Sequence, residues 1–143
     1  MSAFAYDSAA ADLARGELSW PDDDVRVVLV NDSYRPRQSS DTTRGDLGAA
    51  EVVEPLRLIG RKIDDSEAGR LCLCAGAVRW QAFTGDFRYA VVFNNRSNRL
   101  IAYSDLGPQR STNGIVVLDY PDGEVCELVL NFADEDDDEV NDG

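Results

Sequence analysis

The apolar positions fall into short runs divided by polar turns, and their period changes once along the chain. Near the start, the run SAAADLAR follows Asp7 and stops at Gly16. Asp7 or Ser8 can cap such a run and Gly16 can end it, so a helix is expected over about 7–16. A helix this short persists only when docked, and Phe4, Tyr6 and Leu13 are its expected anchors. In ELSWPDDD, Pro21 forces Trp20 into an extended conformation.

From Val25 onward the pattern is that of strands. VRVVLV (25–30) reads as a strand from its β-branched content. EVVEPLRLIGRKI (51–63) carries Pro55, which limits it to an edge strand or a pair of strands. RLCLCAGAVRWQAF (70–83) alternates, with Val78, Trp80 and Ala82 on one face. FRYAVVFN (87–94) is expected to pair with RLIAYSDL (99–106) across NRSN. That places Phe87, Tyr89, Val91 and Phe93 on one side and Arg88, Ala90 and Val92 on the other. Val92 keeps the second side from being fully wet. GIVVLDY (114–120) and EVCELVLNF (124–132) flank PDG and read as a last hairpin. One helix followed by about eight strands, without βαβ alternation, predicts an all-β fold: an antiparallel, jelly-roll-like β-sandwich. A single domain over 1–133 is expected, followed by a solvated acidic tail at 134–143.

Between the second and third runs lies NDSYRPRQSSDTTRGDLGAA (31–50), read as a long exposed loop. Tyr34 there has no local apolar neighbours and stands beside Arg35 and Arg37. Tyr and Arg are enriched among interface hot spots. Tyr34, Arg35, Arg37 and Arg44, with Phe4 and Tyr6 at the N-terminus, are therefore the expected partner-binding residues.

Charge narrows the partners. The net charge is −13 in 143 residues, which argues against binding nucleic acid through phosphates or an anionic membrane surface. Thirteen Arg stand against a single Lys, Lys62. Acid excess without Lys suits a protein kept hydrated in strong salt, and Arg-favouring codon usage gives the same balance. No basic, apolar leader opens the chain and no run is long enough to span a membrane.

The absence of His removes Ser–His and Cys–His nucleophile systems. Cys72, Cys74 and Cys126 read as small buried hydrophobes. Cys72 and Cys74 share a strand face, a spacing that disfavours a bond between them, and a zinc site lacks a fourth ligand. The acids sit in turns and the tail, where solvation is the plain reading. No cofactor is expected; calcium on PDDD (21–24) or the tail is the one ionic alternative. The aromatics read as core rather than as a sugar platform.

Several motifs occur in a telling order. AYDSAAADLARGELSW is a Tyr-Asp helix ending in Leu-x-x-Gly. VRVVLVNDSYRPRQSSD is a Val-rich strand, a D-x-Y motif and a variable loop. VRWQAFTGDFRYAVVF combines Val-x-Trp with Gly-x-x-Arg-x-x-Val-Val, and LIAYSDLG and TNGIVVLDYPDGEVCEL follow. Over about residues 4–130 the chain resembles a family of small structural proteins encoded by tailed viruses of bacteria and archaea. The resemblance implies a non-enzymatic β-sandwich component of the virion. It implies a homo-oligomer that decorates or cements the outer capsid surface through the major capsid protein or other virion proteins. A tail or tail-fibre component, with a receptor-facing role, is the nearest rival; a carbohydrate-binding sandwich comes from another class. The acidity, the near absence of Lys and the acidic tail depart from the family pattern.

Overall fold

A computed structural model describes residues 2–129. Its strands are β1 (Ser2–Ala5), β2 (Val25–Val30), β3 (Leu56–Arg57), β4 (Lys62–Asp64), β5 (Arg70–Cys74), β6 (Val78–Asn94), β7 (Arg99–Leu118) and β8 (Glu124–Val129), with one α-helix, α1 (Asp7–Ala14). They form two antiparallel sheets, ordered β1-β7-β6-β2-β3 and β4-β5-β8, packed as an all-β sandwich. The predicted tail at 134–143 and the end of the predicted strand 124–132 lie outside the described residues.

The two sheets are halves of one bent ribbon. Pairing starts at the 95–98 turn with Asn94 opposite Arg99 and runs down to Val78 opposite Leu118. Beyond a short offset, the Ala75 amide donates to the Gly123 carbonyl at 2.9 Å. The same two chain segments then continue from Cys74 opposite Glu124 to Arg70 opposite Val129. The ladder is irregular between Trp80 and Tyr89. Ala82, Gly107 and Asn113 take positive φ in that region (54°, 73° and 47°). Such bulges add local twist and bend a sheet into two layers. β2 and β3 flank one half of β6, β4 flanks β5, and β1 pairs β7 while running within 8 Å of β8.

The expected central hairpin is present, closed by Asn98 at φ 61°. Its faces differ from expectation. The irregularity between Phe87 and Tyr89 turns Phe87 to the side of Ala90 and Val92, while Tyr89, Val91 and Phe93 face the other way. Positive φ at Ala82 likewise puts Phe83 in the core and leaves Ala82 exposed, against the expected Val78-Trp80-Ala82 face. The expected last hairpin does not form: PDG makes a turn, but β7 pairs β6 and β8 pairs β5. The 119–123 segment acts as a step in one long ladder and carries the chain from sheet to sheet. Pro55 leaves two short strands at sheet edges, β3 and β4. The helix ends at Ala14, and its N-cap is Tyr6 without a side-chain bond, so Asp7 and Ser8 do not cap it.

Both faces of the large sheet are covered. Val25, Val27 and Leu29 of β2 face the core between the sheets, with Leu58, Leu73, Val125 and both tryptophans. Val28 and Val30 face a second core with Tyr6, Tyr34, Leu47, Phe93 and Leu100. A strand buried on both faces reads as a continuous apolar run, which is why VRVVLV does not alternate. Trp20 and Trp80 are buried and donate Nε1–H bonds to the carbonyls of Cys74 and Glu54, each at 2.9 Å. Neither offers a platform to a sugar ring.

Candidate interaction surface

The 31–50 segment is largely exposed, as expected of a loop, but it is also the lid of the second core. Its spread-out apolar residues Tyr34, Leu47 and Ala50 are buried. Thr43 starts a 3-10 turn over Arg44–Ala50. Asp46 accepts the amides of Thr42 and Thr43 at 2.8 and 3.0 Å, and these bonds hold its carboxyl below the usual range. Gly48, at φ 60°, lets the turn kink and drop Leu47 onto the sheet.

A hydroxyl chain pins this lid to the N-terminus. Tyr34 donates its one proton to Asp41 Oδ2 at 2.8 Å, so Tyr6 is the donor in the 2.6 Å bond between the two phenols. Asp41 is buried and also accepts the Arg37 amide at 2.9 Å. The Asp7 amide donates to the Gln38 carbonyl, and Gln38 Nε2 donates to the Ala5 carbonyl at 2.7 Å. Tyr6 and Tyr34 are thus interior, which corrects the expectation that they are presented to a partner. Tyr34 lacks apolar neighbours in sequence but meets Tyr89 edge-on, with ring centroids 6.3 Å apart.

Burial drives both phenols above their ordinary value of 10.0; donation to Tyr34 adds to this for Tyr6, and donation to Asp41 for Tyr34. A raised folded-state value means full stabilisation below the unfolded value and loss as pH climbs past it. Stability is therefore expected to fall above pH about 10. Phenolate absorbance from Tyr6 and Tyr34 should then appear in one step with loss of the circular dichroism signal. Gradual ionisation of both in the intact fold would refute the buried pin.

The remaining expected residues separate. Arg44 donates to both oxygens of Glu51 at 2.8 Å and lies 4.6 Å over the Phe93 ring, so it is a structural clamp. Arg37 reaches Asp41 at 3.7 Å with its side chain 74% exposed. Arg35 is exposed and has no ion pair among the described residues. Phe4 is 42% exposed and leans on Tyr103 with centroids 5.3 Å apart. The Gln38 bonds bring the 35–38 stretch against β1. Phe4, Arg35 and Arg37 are the accessible part of the predicted set.

The acids at 21–24 are occupied. Asp22 takes the Ser19 hydroxyl, Asp23 takes the Ser19 amide and Asn94, and Asp24 takes Arg26 and Asn95. They lock the 19–24 turn to the 94–95 corner. Among the described residues no three His, Cys, Asp or Glu groups are placed to hold a metal. Two interior acids had no sequence signal. Besides Asp41, there is Asp12, which holds Arg99 at 3.1 Å and Arg15 at 2.8 Å and docks α1 on β7. Compared with known protein families, characterised proteins and solved structures, the chain matches none of them.

Proposed function

We propose that this chain is a non-enzymatic structural protein of a tailed virus, decorating or cementing the outer capsid surface as a homo-oligomer. One observation carries the reading: two motifs of the resemblance meet. The Tyr-Asp helix start and the D-x-Y motif lie 28 residues apart and join through the 2.6 Å bond between Tyr6 and Tyr34. A pattern built from residues that pack together is a pattern of fold, and that supports the reading. The work of such a protein is adhesion. Phe4, Arg35 and Arg37 are the contact residues, an aromatic and two cations on an acidic protein.

The test is location. Mass spectrometry of purified particles gives the copy number, and labelled protein gives the site in a particle map. Capsid density at high copy number is the expected result. Low copy number at the tail favours the tail or tail-fibre reading, and absence from particles overturns both. A variant combining Phe4→Ala, Arg35→Ala and Arg37→Ala should fold and lose particle binding; unchanged binding would move the contact elsewhere.

A further inference from the structure

The edges of the two sheets are not alike. β3 is two residues long and follows Pro55, and β4 carries Lys62 and Asp64. β8 presents Glu124 and Glu127 and runs alongside β1. Among the described residues the lower part of β6 is unpaired on its outer side, but Arg79, the positive-φ Ala82 and the irregular ladder up to Phe87 interrupt it. Charge, brevity, bulges and cover are the usual devices that keep an edge from pairing.

Past its own kink at Asn113, the lower part of β7 carries neither charge nor, among the described residues, cover. β1 pairs it only up to Asp105. Beyond the Asn113 kink the ladder to β6 is regular from Val116 to Leu118, and alternate N–H and C=O groups point away from β6. Ile115 and Val117 stand on one face of this stretch, 57% and 55% exposed. STNGIVVL (111–118) is an eight-residue run without charge in a chain of net charge −13. An open cleft of about 440 Å³ runs beside it, walled by Leu29, Leu106, Ile115 and Val117 and also by Arg110 and Asp119.

We propose that this edge pairs antiparallel with the same edge of a second copy. Val116 sits on the two-fold axis. Ile115 of each copy then faces Val117 of the other, and Leu118 faces Gly114. Asp119 faces Asn113, so no like charges are opposed. An uncharged, self-complementary edge is where two strongly acidic copies can meet without setting carboxylates against each other. The paired stretch is short, so association is weak and rises with protein concentration. Salt screens the mutual repulsion and strengthens it. The inference rests on edge geometry and not on the virion reading. A monomer in solution overturns the pairing and leaves that reading to the particle test.

Sedimentation of the full chain from micromolar to millimolar, at low and at molar sodium chloride, reads the association directly. The expected result is a monomer–dimer equilibrium that shifts toward dimer with salt. Val117→Lys and Ile115→Lys should each weaken it at least about tenfold. Ile59→Lys, at a 64%-exposed apolar position away from this edge, should leave it unchanged. Amide exchange on the wild type covers the case of a variant that folds poorly: protection at 114–118 should grow with protein concentration. A monomer at every concentration, a dimer indifferent to both Lys variants, or equal weakening by Ile59→Lys each overturns the proposal.

Discussion

Trp20→Ala is expected to lower the free energy of unfolding by about 4 kcal/mol, near the upper range for aromatic truncation in a core. Trp20 is fully buried between the sheets, and its Nε1–H bond to Cys74 ties the 17–24 segment to β5. Truncation leaves a cavity and an unpaired carbonyl together. Trp20→Phe should recover part of the packing and none of the bond, and fall between wild type and Ala. Urea denaturation measures all three. A loss below about 1 kcal/mol for Trp20→Ala would mean that this segment does not close the core.

The second large effect belongs to a cation. Arg61 donates through Nε to the Trp20 carbonyl at 2.7 Å and through Nη1 to the Leu58 carbonyl at 2.5 Å. Its Nη2 reaches the carbonyls of Pro21 and Asp23. Burial lowers its pKa, the neighbouring Arg57 pushes the same way, and Asp22–Asp24 oppose. One guanidinium thus gathers four carbonyls that no strand satisfies. Arg61→Ala should cost about 2–3 kcal/mol, the scale for leaving partly buried acceptors unmet. Arg61→Lys keeps the charge but replaces a planar fork with a point, and should recover less than half. Lys62→Ala next door is exposed and should change stability by less than about 0.5 kcal/mol. Full rescue by Lys would show that charge alone matters at this position.

What could be read from sequence follows from how local each signal is. The 87–107 hairpin was legible because alternation and a polar four-residue turn are both local. VRVVLV was legible as a strand for the same reason. The bend was not, because Ala82 and Asn113 adopt positive φ that neither residue type announces. The last hairpin misled because PDG is sound turn chemistry that the fold uses as a step between sheets. β1 is four residues that make sense only against Ala102–Asp105 of β7. The lid was hidden because Tyr34, Leu47 and Ala50 are too far apart to show a period. Asp41 is written like its solvated neighbours, and only the folded chain sets it apart, through burial and its bonds to Tyr34 and the Arg37 amide. Of the predicted contact set, exposure survives at Phe4, Arg35 and Arg37, while Tyr6, Tyr34 and Arg44 hold the lid that carries them.

The bent ribbon also bears on how the chain finds its fold. Its ladder begins at residues five apart, Asn94 and Arg99, and ends at Arg70 and Val129. Each step down the ribbon encloses a longer loop, but most of that loop is already zipped. Closure entropy is then met in small increments instead of one large loss. β1 and β2 have no such path: Ser2 must find Asp105 across more than half the chain, and Val25 must find Asn94 across just under half of it. The hairpin is placed to form early and the N-terminal strands to dock late. Until they dock, Val91 and Phe93 on one side and Ala90 and Val92 on the other stand open to water. The interval just after dilution from denaturant, or the moments on the ribosome before release, are then when this acidic chain is most exposed to aggregation, and its charge is the safeguard during that interval.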